Sequence, residues 1–153
     1  MTTSPERVCL DTNVLVHLIR GDQVGARIAN DHGLRERAER PLISVITVGE
    51  IRAMAMKRGW HAAKQARLDE LVRELVIVRP DQGAVIEKYA EIYTFCERDI
   101  QPAHRMGQND MWIAATAAAS SARLLTTDGD FDHLNPKFIR LSRIDAKSGA
   151  PYA

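Results

Sequence analysis

Acidic side chains stand at four places in this sequence where an apolar run ends or a helical pattern begins. Asp11 follows Val8-Cys9-Leu10 directly, and Glu50 lies in Ser44-Val45-Ile46-Thr47-Val48-Gly49-Glu50-Ile51. Asp110 opens an alanine-rich stretch after Gly107-Gln108-Asn109, and Asp128 follows Leu124-Leu125-Thr126-Thr127. Each has an ordinary local use. An Asp after a strand caps a helix, Thr47-x-x-Glu50 fits a capping box, and an acid in a first turn complements the helix dipole. Asp128, with Asp130 and Asp132 close behind, suits a tight turn. The set says more than its members. If the apolar runs are parallel strands, all four carboxylates can face one end of the sheet, where open α/β sheets bind ligands.

Carboxylates gathered in this way repel one another, and burial raises their pKa values unless a cation compensates. Hard oxygen donors without clustered histidine or cysteine argue for Mg²⁺ or Mn²⁺ and against zinc. Mg²⁺ commonly takes one or two protein carboxylates and completes its shell from water and phosphate oxygens. A phosphate-bearing substrate is therefore expected.

The elements that must position these groups are legible from periodicity. Short apolar runs alternate with longer helical stripes, the pattern of an α/β protein with a mainly parallel sheet. Strands are expected at Val8 to Leu10, Leu42 to Val45, Val76 to Val78, Arg123 to Thr126 and Phe138 to Leu141. Leu68, Leu71, Val72 and Leu75 mark one core-facing helix; Val85, Tyr89, Ile92, Tyr93 and Cys96 mark another; a third runs from Asn109 to about Ser120. Two helical pieces are expected between Gly21 and Arg40, separated by the turn signal Asn30-Asp31-His32-Gly33. The apolar period fades after Ser142, so residues 1–145 are expected to form one domain and residues 146–153 a flexible tail.

The bulk properties agree with one globular domain: 153 residues, 45% hydrophobic and 27% charged. A formal charge of +1 does not mark a nucleic-acid binder, but its distribution is uneven. From Val14 to Arg79 twelve basic residues face eight acidic ones, which suits either a solvated helix face or a surface that meets RNA. Cys9 and Cys96 lie in apolar surroundings and are read as reduced, buried thiols. No run approaches the roughly 20 apolar residues that cross a bilayer, and a cytoplasmic protein is expected.

Four blocks resemble the PIN-domain family, and within it the toxins of VapC-type bacterial toxin–antitoxin systems. They are Leu10-Asp11-Thr12-Asn13-Val14-Leu15, Ser44 to Ile51, Asn109-Asp110-Met111-Trp112-Ile113-Ala114-Ala115-Thr116-Ala117, and Leu124 to Phe131. They stand in the family's order and spread over most of the chain. The resemblance implies a PIN-like three-layer sandwich, a central parallel sheet of about five strands flanked by helices. It implies a metal site made by Asp11, Glu50, Asp110 and Asp128, supported through hydrogen bonds by Asn13 and Thr126. Asp130 competes with Asp128 for the fourth position. The implied activity is endonucleolytic hydrolysis of RNA by a metal-activated water, with no covalent intermediate. A homodimer and a cognate antitoxin that occupies the active-site groove are the implied partners.

On this reading Asp11 and Asp110 are the principal inner ligands, with Glu50 and Asp128 acting through water or holding a second ion. A noncatalytic PIN-like module that binds metal or RNA is the rival from another class. An aspartyl-phosphate phosphatase also places an Asp after its first strand, but Asn13 stands where its second Asp belongs. His104 and Arg105 lie on the loop before Asp110 and could reach a phosphate, although surface loops are usually just solvated. Trp60 and His61 could stack on an unpaired base or serve packing.

Overall fold

Alternation along very short strands decides which helices they meet. In the computed structural model, which describes residues 6–99 and 101–153, the strands are β1 (Val8–Leu10), β2 (Leu42–Ser44), β3 (Val76–Val78), β4 (Arg123–Thr126) and β5 (Arg140–Arg143). They form one parallel sheet in the order β3-β2-β1-β4-β5. Val8, Leu10, Ile43 and Leu125 point to one face, whereas Cys9, Leu42 and Leu124 point to the other, as a period of two requires. Both faces are buried, as parallel sheets demand.

The first face packs against α1 (Thr12–Arg20), α2 (Gln23–Asp31), α3 (Val45–Lys57) and α4 (Ala62–Arg73), through Val14, Leu15, Ile19, Ile28, Ile51 and Leu68. The second packs against α5 (Val85–Arg98) and α6 (Gln108–Ala119), through Val85, Ile92, Ile113 and Ala117. Phe131 and Leu134, from a 3₁₀ turn at Gly129–Leu134, close that second core. The result is the expected three-layer α/β sandwich. The alanines of α6 let it lie close to the sheet. Gly25 does the same for α1 and α2: a Cβ there would stand 2.2 Å from the His17 carbonyl oxygen.

Three local expectations differ from the structure. β5 occupies Arg140–Arg143 and not Phe138 to Leu141, because the Phe138 and Ile139 amides donate back to the Leu134 carbonyl and pairing with β4 starts at Arg140. Ile139 is spent on the core instead. Between Gly21 and Arg40 one helix forms, not two; Gly33 takes a left-handed φ of 55°, and turns follow. The Arg37 guanidinium pins that segment by donating to the carbonyls of His32 and Glu6. Thr47 does not cap a helix either. Ser44 is the cap of α3, accepting from the Ile46 amide, while the buried Thr47 hydroxyl has no partner.

Residues 146–153, expected as a flexible tail, turn back on β5 here. Ile144 bridges Pro151, the Tyr152 amide donates to the Arg143 carbonyl at 3.0 Å, and the Arg143 guanidinium covers the Tyr152 ring. Residues 1–5, the start of the expected domain, lie outside the described residues. Among the described residues no helix is long and apolar enough to cross a membrane.

Candidate metal centre

The chain leaves β1 towards β2 and leaves β4 towards β5, in opposite directions, so a crevice opens at the carboxyl ends of these two neighbours. Asp11 and Asp128 stand on its two sides. The Asp11 amide continues the β1–β4 ladder by donating to the Leu125 carbonyl at 3.0 Å, which places the side chain at the sheet edge. That side chain is almost fully buried, and its oxygens are held by named donors. The Thr12 amide reaches Oδ1 at 2.7 Å, the Thr126 hydroxyl reaches Oδ2 at 2.7 Å, and Asn13 Nδ2 lies 3.2 Å from Oδ2.

Thr126 and Asn13 also tie the loop after β4 to this carboxylate. The Thr126 hydroxyl accepts from the Asp128 amide at 3.0 Å, and Asn13 Oδ1 accepts from the Thr127 amide at 3.1 Å. Asp128 Oδ1 in turn accepts from the Asp130 amide, starting the 3₁₀ turn. Asp128 therefore performs the turn chemistry suggested by its sequence while also facing the crevice.

Glu50 and Asp110 arrive from opposite faces of the sheet. Glu50 sits in the second turn of α3, past the helix start, so it is free of the capping role its spacing suggested. Its Oε1 accepts from the Thr12 hydroxyl at 2.7 Å and its Oε2 from Asn109 Nδ2 at 3.3 Å. Asn109 opens α6, so this bond joins the two helices across the sheet edge beside Asp110 in the same first turn. Asp11, Glu50, Asp110 and Asp128 all line one cleft of about 370 Å³, together with Asn13, His17, Arg20 and Arg58. Thr126 lies beneath it. A separate hollow of about 390 Å³, lined by Leu18, Ala26, Leu34 and Leu71 among others, contains none of these carboxylates.

The electrostatics are those of a crowded acidic site. Burial pushes the Asp11 carboxyl up to about 6, with the charges of Glu50 and Asp128 adding to it against the pull of the Thr126 and Thr12 bonds. Asp110, half-buried, rises to about 7 through burial and then through Asp11, Asp128, Glu50 and Asp130. Carboxylate oxygens of Asp110, Asp128 and Asp130 lie within 4.8 Å of one another. Groups that resist ionising together, all with oxygen donors, fit a hard divalent cation whose charge would reverse that resistance. Cys9, two residues before Asp11, is fully buried and its thiol is pushed far up by that burial, so it offers no thiolate.

Residue reading overlooked Thr12 and Asn109, the two donors that orient Glu50. Each is a sequence neighbour of a singled-out Asp, which was the available signal. Trp60 is buried in the first core and so is not presented for stacking, while His61 caps α4 by accepting from the Lys64 amide. His104 and Arg105 do not line the cleft. His104 instead bonds Asp99 and stacks on His133 at 4.8 Å.

Fold and cleft together define an α/β protein with a carboxylate pocket at the switch point of a parallel sheet. Residues 8–136 match the PIN-domain family, and the chain belongs to it. It is similar to a ribonuclease, VapC5 of Mycobacterium tuberculosis, with 26% identity over 138 residues covering 88% of this chain and 93% of the relative. Among solved structures it resembles a chain of VapBC2 from Rickettsia felis bound to a DNA fragment from the promoter. That match has a TM-score of 0.73 and 25% identity over 90% of this chain and 98% of the other. VapBC-1 from nontypeable Haemophilus influenzae shares the fold with a TM-score of 0.71 and 21% identity, covering 89% and 96% of the two chains.

Proposed function

We propose that this protein is a metal-dependent endoribonuclease, the toxin of a type II toxin–antitoxin pair, with Asp11, Glu50, Asp110 and Asp128 as its catalytic metal site. The observation that carries this reading is the meeting of four carboxylates from β1, α3, α6 and β4 in one cleft. The similarity to VapC5 and to chains solved in VapBC complexes supports the choice of RNA and of an antitoxin as partners. A homodimer and a cytoplasmic location belong to the same reading, in which Mg²⁺ or Mn²⁺ is the cofactor.

Asp11 and Asp110 would be the principal ligands, since they are the most buried and most strongly perturbed acids of the set. A bound Mg²⁺ or Mn²⁺ supplies an acidified water and stabilises charge on phosphate oxygens. The chain's own part is to fix the donors. Thr126 and the Thr12 amide hold the two oxygens of Asp11 in place. Thr12 and Asn109 together hold Glu50, which would complete the site through water or help to hold a second ion. Asp128 completes the pocket and Asp130 stands at its exposed edge. With Cys9 buried and protonated, no thiolate is presented in the cleft, in keeping with direct attack by water.

The test is cleavage of single-stranded RNA by the purified chain with Mg²⁺ or Mn²⁺, beside Asp11→Asn and the quadruple carboxylate variant. Metal-dependent turnover lost in both variants is expected. A fully active Asp11→Asn would refute the assignment, and RNA or metal binding without turnover would favour the noncatalytic module.

A further inference from the structure

Asn13, His17 and Arg20 stand at i, i+4 and i+7 of α1, and Glu50, Met54 and Arg58 at i, i+4 and i+8 through the C-cap of α3. Residues at these intervals share a helix face. Each helix thus carries one stripe from the carboxylate end to an arginine, and both stripes line the same cleft. At 1.5 Å per residue the arginine positions lie roughly 10 Å beyond the carboxylates.

Arg27, Arg52 and Arg79 are paired with Asp31, Asp69 and Asp81, whereas Arg20, Arg58 and Lys64 form no ion pair among the described residues. Arg35, Arg37, Arg40, Lys57, Arg67 and Arg73 of the basic half of the chain also form no ion pair among the described residues, but of its cations Arg20 and Arg58 alone line the carboxylate cleft, with Lys64 nearby. Arg20 and Arg58 sit at helix C-terminal ends, where the dipole favours a cation. Lys64 does not: it lies in the first turn of α4, the end that disfavours positive charge. Its ammonium is held over the Trp60 ring at 4.0 Å, an anchor that leaves its charge uncompensated by any carboxylate. Burial and then the charges of Arg20, Arg58 and Arg67 pull the Lys64 pKa down. An acidic cleft by itself repels a polyanion, and a run of unpaired cations beside it supplies what a nucleic-acid strand needs to stay.

We propose that Arg20, Arg58 and Lys64 form a phosphate track, which holds the sugar-phosphate backbone of a single RNA strand beyond the bond cut at the carboxylates. The track rests on the ribonuclease reading given above. Contacts to phosphate oxygens carry no base identity, so a grip made through them is independent of sequence and fixes the register and orientation of the strand. Trp60 serves by positioning Lys64, which is the use its buried ring retains.

The test measures binding of a labelled single-stranded RNA oligonucleotide across a salt series, in an Asp11→Asn background that prevents cutting. Neutralising all three cations (Arg20→Gln, Arg58→Gln, Lys64→Gln) should lower the slope of log K against log salt by about 2, at about 0.7 per phosphate contact. Each single change should lower it by its share. Arg7→Gln, which removes an exposed arginine paired with Glu39 at the opposite edge of the sheet, should leave the slope as it was. Thermal melting of each variant checks that it is folded. An unchanged slope in the folded triple variant overturns the track, even if the native chain cuts RNA. RNA binding with a slope that the triple variant lowers, but with no cleavage by the native chain under any divalent ion, would sink the ribonuclease reading and leave the track.

Discussion

Replacing Asp11 by Asn should change stability in opposite directions at low and neutral pH when divalent ions are absent. The Asp11 carboxyl is raised from its ordinary value near 4 to about 6 in the folded protein. The folded state therefore binds more protons than the unfolded chain between these limits, and its stability falls as pH climbs through that window. Two units at 1.36 kcal/mol each amount to about 3 kcal/mol of destabilisation by the time the group is ionised near pH 7. Below about pH 4 that penalty is absent. Asn removes the charge but turns one acceptor into a donor; with its oxygen kept facing Thr126 and Asn13, the bond from the Thr12 amide is lost at about 1 kcal/mol. The net gain at neutral pH is about 1 to 2 kcal/mol, or about 5 °C in a domain of this size. At pH 4 the variant should be the less stable of the two. Urea or thermal unfolding of both proteins in a chelator, from pH 4 to 7.5, reads the difference directly and cancels the other titrating groups. A saturating divalent ion at neutral pH should reverse the order, because an ion at a hundred times its dissociation constant adds about 2.7 kcal/mol to a protein that binds it. A difference that stays constant across the pH range would refute the claim that this carboxyl is buried against its own charge.

Three further outcomes follow from single contacts. Thr126→Val keeps the shape but removes the donor to Asp11 and the acceptor for the Asp128 amide, and should cost about 1 to 3 kcal/mol in urea unfolding. Asp128→Asn should lower metal-dependent RNA cleavage by on the order of 10- to 100-fold, and Asp130→Asn by much less, because Asp130 is exposed at the edge of the cluster. Steady-state cleavage of the two variants side by side decides between them. Gly25→Ala should destabilise by about 1 to 3 kcal/mol through a clash of its Cβ with the His17 carbonyl, seen as a lower melting temperature.

Much of the fold was legible because its signals are local. β1, β3 and β4 begin and end where the apolar runs do, and the stripes of α4, α5 and α6 follow a period of 3.6. Reading failed where a local pattern had two uses. Phe138 and Ile139 look like strand residues, but their amides are claimed by the turn at Leu134, so β5 starts later. Thr47 and Glu50 have the spacing of a capping box, yet Ser44 starts the helix three residues sooner and leaves Glu50 to the cleft.

By itself the sequence determined that acids follow strand ends, since a residue's place after an apolar run is a property of the chain. It also determined the two faces of the sheet, because alternate side chains point opposite ways whatever surrounds them. Only the tertiary structure decided that β4 lies beside β1, that Glu50 and Asp110 meet from opposite layers, and that Thr12 and Asn109 orient Glu50. It alone set the protonation of Asp11 and Asp110. Burial and charge repulsion act through space, and their sum over neighbours distant in sequence exists only once the chain has folded.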